Sequence, residues 1–325
     1  MPLPSLTTGQ ILIQTKAAAL NHLDLFVIRG LPGAKPPLPH ILGSDGAGKV
    51  ARLAEDVDGF KVGDRVMLNP SLWCGQCEQC AAGEESLCDN FQIVGEHLPG
   101  TFAEYFAVPH QNLCKIPKGI GYKEAAGFSL VNLTSWRLLM TRAKLQKGES
   151  ILIHGIGGGV ATAALGIAKL AGANPIIVTS SSDSKLQSAL DLGADYCLNY
   201  NSTDLIKKVS LLTAGRGVDV IVDCVGSATW LQSLKMAAKG GKIVTCGATT
   251  GPNPETEIRL IFWKQLSILG STMGTSEEYR KVVSHLSEGA LVPVISSVFQ
   301  LDQGRKALHY LSNNQQFGKV ILDIP

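Results

Sequence analysis

The run ILIHGIGGGVATAALGIA, Ile151 to Ala168, changes character in its middle. Its first five residues, ILIHG (151–155), form the short apolar block of a fully buried strand. From Val160 onward, VATAALGIAKLAGA reads as a helix. Gly157, Gly158 and Gly159 stand between the two. A glycine turn in that context lets a phosphate approach the free N–H groups at a helix start, where the helix dipole also favours an anion. Ala161 occupies the last position of the usual glycine pattern, a substitution the motif tolerates. We therefore expect this segment to hold a dinucleotide, with Gly157, Gly158, Gly159 and Val160 in contact with it.

Downstream the theme repeats. PIIVTS, VDVIVDCVG and KIVTCGA read as buried strands, with DSKLQSALDLGA and WLQSLKMAAKGG as helices between them. Such alternation predicts an α/β fold, a Rossmann doubly wound parallel sheet with helices on both faces. Upstream, residues 1–118 read as short strands such as ILIQTKAAAL, AGKVARLAE, DRVMLNP and EYFAVP, punctuated by Gly and Pro as in LPGAKPPLPH. The tail shows one clear helix, SEEYRKVVSHLSEG, a second in LDQGRKALHYLSN, and a last strand, GKVILDI. A β-rich lobe on both sides of a nucleotide unit implies that the tail folds back onto the first lobe. The expected organisation is a β-rich domain over 1–130, the dinucleotide domain over 131–271 and a return over 272–325, with no internal repeat.

The choice between NAD and NADP turns on the end of the second strand. An NAD site usually carries an acid there to grip the ribose hydroxyls. Here PIIVT runs into Ser180, Ser181, Ser182, Asp183, Ser184 and Lys185. Hydroxyls and a lysine suit a 2′-phosphate, and Tyr200 is a further donor candidate, so NADP(H) is the expectation and Asp183 keeps NAD open. Ser182 or Asp183 also suits a plain helix cap.

WCGQCEQCAAGEESLC, Trp73 to Cys88, is a second signal. In a reducing compartment a dense cysteine cluster indicates a metal in preference to disulfides. The spacing of Cys74, Cys77, Cys80 and Cys88 lets a short loop fold four thiolates into the closed tetrahedron of a structural zinc, in a lobe over about residues 70–92. Cys114, Cys197, Cys224 and Cys246 lie among apolar residues and are expected to pack in the core.

Composition sets outer bounds. Of the residues, 45% are hydrophobic and 17% charged, and 29 basic against 27 acidic residues leave a net charge of +2 with no basic block. That excludes a nucleic-acid footprint. The apolar runs are broken by glycine, which argues against a membrane span. The start, MPLPSLTTGQ, lacks the pattern of a signal peptide, so a cytoplasmic protein is expected.

Taken together, GSDGAGKVARL, FKVGDRV, the four-cysteine lobe, GTFAEYFAVP, the glycine loop and the terminal GKVIL resemble the medium-chain dehydrogenase/reductase superfamily of zinc alcohol dehydrogenases and quinone oxidoreductases, in order and over nearly the whole chain. The resemblance implies a GroES-like catalytic domain split around a Rossmann domain, a homodimer or homotetramer, and a small-molecule substrate. At the front the chain is shorter than the family pattern. It also departs at the family's catalytic zinc. Asn21 stands for the first cysteine, Ser44 and Asp45 for the histidine and glutamate of the GHE motif, and Leu130 for the third ligand. An amide, a hydroxyl and an alkyl group do not make a zinc cage. Asp45 with His22, His40 or His97 is the alternative metal set.

Without a Lewis acid, alcohol oxidation becomes difficult and reduction of an electron-poor acceptor remains feasible. The expected activity is NADPH-dependent hydride transfer to a quinone, an α,β-unsaturated carbonyl or a reactive aldehyde. In it, Asn21 and Ser44 stabilise the oxyanion, while Asp24, Asp45 and Thr134 serve as further catalytic candidates. Asn21 and Asp24 equally fit a helix N-cap and its third residue, and Ser44-Asp45-Gly46 fits ordinary turn chemistry. By position in the family pattern, Gly247, Gly270, Ser271, Thr272 and Lys319 are expected at the cofactor. The competing readings are an alcohol dehydrogenase with an unusual catalytic metal and a nucleotide-binding protein without turnover.

Overall fold

The computed structural model describes residues 3–31, 36 and 38–325, so part of the expected turn stretch, 32–35 and 37, lies outside the described residues. The chain divides into two units, one of Met1–Leu133 with Met273–Pro325 and one of Thr134–Thr272.

The first unit opens with β1 (Gln10–Leu20), followed by α1 (His22–Arg29), β2 (Asp45–Leu53), β3 (Arg65–Leu68), β4 (Ser71–Leu72), α2 (Glu78–Ala81), β5 (Gln92–Ile93), β6 (Tyr105–Pro109) and β7 (Leu113–Lys115). Helix α3 (Tyr122–Trp136), with a π-helical stretch over Arg137–Arg142, carries the chain across the unit boundary. The second unit holds β8 (Ile151–Ile153), α4 (Gly159–Leu170), β9 (Ile176–Ser180), α5 (Asp183–Asp191), β10 (Tyr196–Asn199), α6 (Leu205–Leu212), β11 (Val218–Val222), α7 (Trp230–Met236), β12 (Ala237–Thr245), α8 (Ile258–Lys264) and β13 (Ser267–Gly270). The return to the first unit adds α9 (Ser276–Ser287), β14 (Ile295–Gln300), α10 (Gly304–Ser312) and β15 (Lys319–Asp323). No helix among the described residues is long and apolar enough to cross a membrane.

In the second unit the sheet order is β10-β9-β8-β11-β12-β13, and every pair is parallel. That is the doubly wound order with its switch point between β8 and β11, and it follows from strands that are apolar on both faces: Ile151, Leu152, Ile153, Ile177, Val178, Val220 and Ile221 are fully buried. In the first unit, β1 is the spine. It pairs antiparallel with β2, β6 and β15, and the tail is thereby tied back to the start through the register Ala17↔Asp323 to Leu20↔Val320. One end of β1 gives Ile11 and Ile13 to a core with Val50, Val66, Leu68 and Phe106. Its other end gives Ala18 and Leu20 to a second core with Leu25, Leu311, Val320 and Leu322.

Several elements depart from expectation. The helix WLQSLKMAAKGG stops at Met236, because Ala237 already begins β12. Helices α3 and α8 and strand β14 were not anticipated: α3 is buried on every side from Ala125 to Ser135, with Ser129, Asn132, Thr134 and Ser135 among its apolar residues, and α8 exposes Ile258, Phe262 and Trp263, so neither shows a clean helical stripe. Cys114, Cys197, Cys224 and Cys246, expected in the core, are all partly exposed.

Candidate functional site

The parallel sheet gathers most of the expected cofactor residues at one edge. Gly157–Val160 follow β8, Ser180 ends β9, Tyr200 follows β10, Gly247 follows β12 and Gly270 ends β13, all at carboxyl ends of strands. This is the edge at which open α/β sheets take ligands. Gly157 adopts φ +129°, a backbone conformation that a side chain resists, and the turn needs a glycine there. Gly158 is the N-cap of α4 and brings no side-chain hydrogen bond, so the first N–H groups of the helix remain open to an anion. These features fit a nucleotide pyrophosphate.

A chain of buried hydrogen bonds sits beneath the loop. Thr179 Oγ1 lies 3.1 Å from His154 Nδ1, His154 Nε2 lies 3.1 Å from Ser233 Oγ, and Ser233 Oγ donates to Asp223 Oδ2 at 2.7 Å. Since Ser233 uses its proton on Asp223, it accepts from Nε2–H, which leaves Nδ1 to accept from Thr179. Burial lowers the His154 pKa, which keeps the ring in this neutral form. The sequence reading assigned His154 no role; a histidine at the end of an apolar strand block was the available signal.

At the ribose end, Ser180 is buried at the tip of β9. Ser182 caps α5 and accepts from Lys185 N–H at 3.4 Å, so the capping reading holds for it. The Asp183 carboxylate accepts from Asn199 Nδ2 at 2.6 Å. Ser181 and Tyr200 are exposed. On the far side of the edge, Ser271 N–H donates to Thr245 O at 2.9 Å, Thr245 Oγ1 donates to Gly247 O at 3.0 Å, and Thr272 closes the unit.

A second polar cluster lies in the first unit. Asn21 lies between β1 and α1 as the N-cap of the helix, and its N–H donates to Asp24 Oδ2 at 2.7 Å, so the capping pair is formed. The other Asp24 oxygen accepts from Gly43 N–H at 3.0 Å. Gly43 has φ +102°, and a Cβ there would collide with the Phe102 ring, so only glycine brings this N–H to the carboxylate. The Asn21 side chain faces Lys319 and Asp45. Lys319 Nζ donates to Asn21 Oδ1 at 2.5 Å and to Asp45 Oδ2 at 2.8 Å, and Asn21 Nδ2 donates to Asp45 Oδ2 at 3.0 Å and to Ala19 O at 3.4 Å. Leu130 N–H donates to Asp45 Oδ1 at 2.9 Å.

Lys319 and Asp45 are almost wholly enclosed, at 3% and 0% exposure. Lys319 was expected at the cofactor; its ammonium is instead committed to Asn21 and Asp45. One cation serves two carboxyls here. Burial pushes Asp24 up to about 7, against the pull of Asn21 N–H, the Lys319 charge and Gly43 N–H. The expected amide donation from Asn21 to a substrate is corrected as well, since its amide hydrogens go to Asp45 and Ala19. Ser44 Oγ, fully buried, has no partner among the described residues. Thr134 is buried near the end of α3 and is the first residue of the second unit.

The four-cysteine lobe converges as its spacing predicts. The Sγ atoms of Cys74, Cys77, Cys80 and Cys88 all lie within 4.8 Å of one another. A tetrahedral zinc with Zn–S bonds of about 2.3 Å requires sulfurs about 3.8 Å apart. N–H groups of Gln76 and Cys77 bring Cys74 down to about 6, while desolvation and the neighbouring thiols push Cys80 up to about 12. Four thiolates side by side need a cation, and this donor set fits zinc. Among the described residues no other set of three or more His, Cys, Asp or Glu side chains converges in this way. His40 and His97, the alternative partners of Asp45, bind the backbone at Gly95 O and Ile93 N–H.

Comparison with known proteins adds an independent line. The zinc-binding dehydrogenase family model matches residues 159–288, and the alcohol dehydrogenase GroES-like domain model matches residues 7–118. An NAD-dependent alcohol dehydrogenase of Sulfolobus acidocaldarius is 30% identical, over 100% of this chain and 95% of its own. A zinc-type alcohol dehydrogenase-like protein of Schizosaccharomyces pombe is 33% identical, over 98% and 92%. A solved structure described as an NAD-dependent alcohol dehydrogenase superposes with a TM-score of 0.96 at 41% identity, covering 100% of this chain and 94% of that one.

Proposed function

Because the chain belongs to the medium-chain dehydrogenase/reductase superfamily, we propose that it is an NADPH-dependent reductase of quinones, α,β-unsaturated carbonyls or reactive aldehydes, with one structural zinc and no metal at its polar cluster. The observation that carries this reading is the Lys319 ammonium between Asn21 Oδ1 and Asp45 Oδ2. A divalent ion drawn to those oxygens would have to displace a buried cation, and Ser44 and Leu130 offer neither the nitrogen nor the sulfur that would reward the exchange. No group then lowers the pKa of an alcohol, which leaves acceptors that already take up negative charge easily.

A bound reduced nicotinamide supplies the hydride. For the chain's own residues, the Lys319 charge, little screened in its enclosed position, favours negative charge growing on an acceptor oxygen nearby. Ser44 keeps the one uncommitted hydroxyl of the cluster and is the donor we assign to that oxygen. Asp24 and Asp45 hold Asn21, Gly43 and Lys319 in place, and Thr134 is assigned to orientation. Ser180 at the β9 tip, in place of an acid, supports NADP(H), with Ser181, Lys185 and Tyr200 as phosphate partners. The NAD-dependent relatives make NADH the comparison. A homodimer through the β13 edge is part of this reading. There Trp263 is 75% exposed, with Phe262, Ile258 and Ile268 beside it.

The test combines elemental analysis with a cofactor and acceptor panel. We expect about one zinc per chain, and faster consumption of NADPH than NADH with quinones and enones. Two zincs per chain with oxidation of simple alcohols would establish the metal-dependent alternative. Nucleotide binding with no turnover on any acceptor would leave a binding protein.

A further inference from the structure

Two cysteines lie at the same sheet edge as the glycine loop. Strands β11 and β12 are parallel neighbours in the register Val222↔Val244. Cys224 and Cys246 come two residues after this pair, just past the ends of β11 and β12, so continuing the register sets them opposite each other. Their sulfurs are 3.3 Å apart, and both residues are partly exposed. The Cys246 thiol's hydrogen bond lowers the Cys224 pKa, while donating it, together with burial, raises Cys246 well above the ordinary range. One sulfur is thereby the readier nucleophile, and the other keeps its proton beside it.

We propose that Cys224 and Cys246 form a redox-modification site, at which a hydroperoxide oxidises the pair to an intramolecular disulfide that weakens nucleotide binding at the adjoining sheet edge. The effect on binding rests on the nucleotide reading above; the disulfide itself does not. The Cys224 thiolate attacks one peroxide oxygen and the O–O bond breaks. The departing oxygen takes up a proton as water or an alcohol, and Cys224 is left as a sulfenic acid. The Cys246 sulfur then attacks the Cys224 sulfur; its proton leaves with the hydroxide as water and the S–S bond forms. Two thiols have lost two electrons and two protons, and the hydroperoxide has gained them.

Closing the sulfurs from 3.3 Å to about 2.05 Å draws the two strand ends together. The loops beyond them are already laced, since Thr249 N–H donates to Cys224 O at 3.3 Å and Thr250 N–H donates to Val225 O at 2.8 Å. Gly247, the residue next to Cys246, moves with this pull, and it is one of the residues assigned to the cofactor.

The experiment treats the zinc-loaded protein with hydrogen peroxide, maps its peptides by mass, and follows NADPH binding by nicotinamide fluorescence. We expect the peptides carrying Cys224 and Cys246 to be joined and lighter by the two thiol hydrogens while zinc stays bound. NADPH affinity should fall about tenfold and return with dithiothreitol. Reduced Cys224→Ser and Cys246→Ser should bind NADPH as the reduced wild type does and lose the peroxide response. Unlinked peptides, or linked peptides with unchanged affinity, overturn the proposal, and these wild-type readouts hold even if a variant fails to fold. If the reduced protein binds neither NADPH nor NADH, the nucleotide reading falls instead, and the peptide masses alone then uphold or refute the modification site.

Discussion

Lys319 shows how a side chain's role can be invisible in its own neighbourhood. Within GKVIL it reads as a lysine at the start of the last strand, expected at the cofactor, yet it lies against Asn21 and Asp45, which come far earlier in the chain. Breaking a buried ion pair from one side leaves an unmatched charge, so Lys319→Met should destabilise the protein by about 3–5 kcal/mol in urea unfolding. Adding Asp45→Asn to that variant should restore part of the loss. A change below about 1 kcal/mol would mean that the pair is hydrated in solution. The turnover number should fall in the single variant with the KM for the nicotinamide cofactor little changed. The zinc cysteines were legible for the opposite reason: their partners are their near neighbours, and spacing alone carries the geometry.

At the level of elements, β8, the glycine turn and α4 were legible because a buried strand, a breaker and a helix each leave a local signature. Helix α3 was not, because it is buried on all sides, mixes polar residues such as Ser129 and Asn132 with apolar ones, and supplies Leu130 N–H to Asp45, a partner that no periodicity reveals. His154 joins β8, β9, β11 and α7 through Thr179, Asp223 and Ser233, and two opposed pH effects follow. Burial lowers the His154 pKa, so below about 6.5 the unfolded chain takes up a proton the folded chain refuses, and stability falls with falling pH. Asp24, raised to about 7, does the reverse: the folded chain holds the extra proton, and that contribution is lost as pH rises through about 7. Urea midpoints of the wild type between about pH 5 and 7 should therefore reflect two opposing slopes. Asp24→Asn should make them climb with pH, and His154→Asn should make them decline. Parallel slopes in all three proteins would exclude these two groups as the source.

For the molecule as a whole, the strand order of the second unit leaves β10 and β13 as edges. Exposed Ile258, Phe262, Trp263 and Ile268 concentrate at the β13 end, and a sheet edge with unpaired backbone groups beside an apolar patch is a natural self-pairing surface. Phe262→Glu with Trp263→Glu should halve the mass measured by light scattering if the protein is a dimer through this edge. An unchanged mass would place the contact elsewhere. The two-unit organisation was readable because the change from short strands to strand-helix alternation is a change of period. The chemistry of the polar cluster was less readable, since it depends on which polar groups remain uncommitted after folding, as Ser44 does and Asn21 does not.

The pairing of β1 with β15 also bears on the order in which the protein is made. The second unit is one continuous stretch of chain and has every strand of its sheet once residue 270 has emerged from the ribosome. The first unit must wait, because one of the three neighbours of β1 is β15, which is synthesised only after the whole second unit and brings Lys319 with it. Until then Asp45 has no ammonium to face, and a chain halted before this strand would carry a finished nucleotide fold beside an unfinished polar cluster.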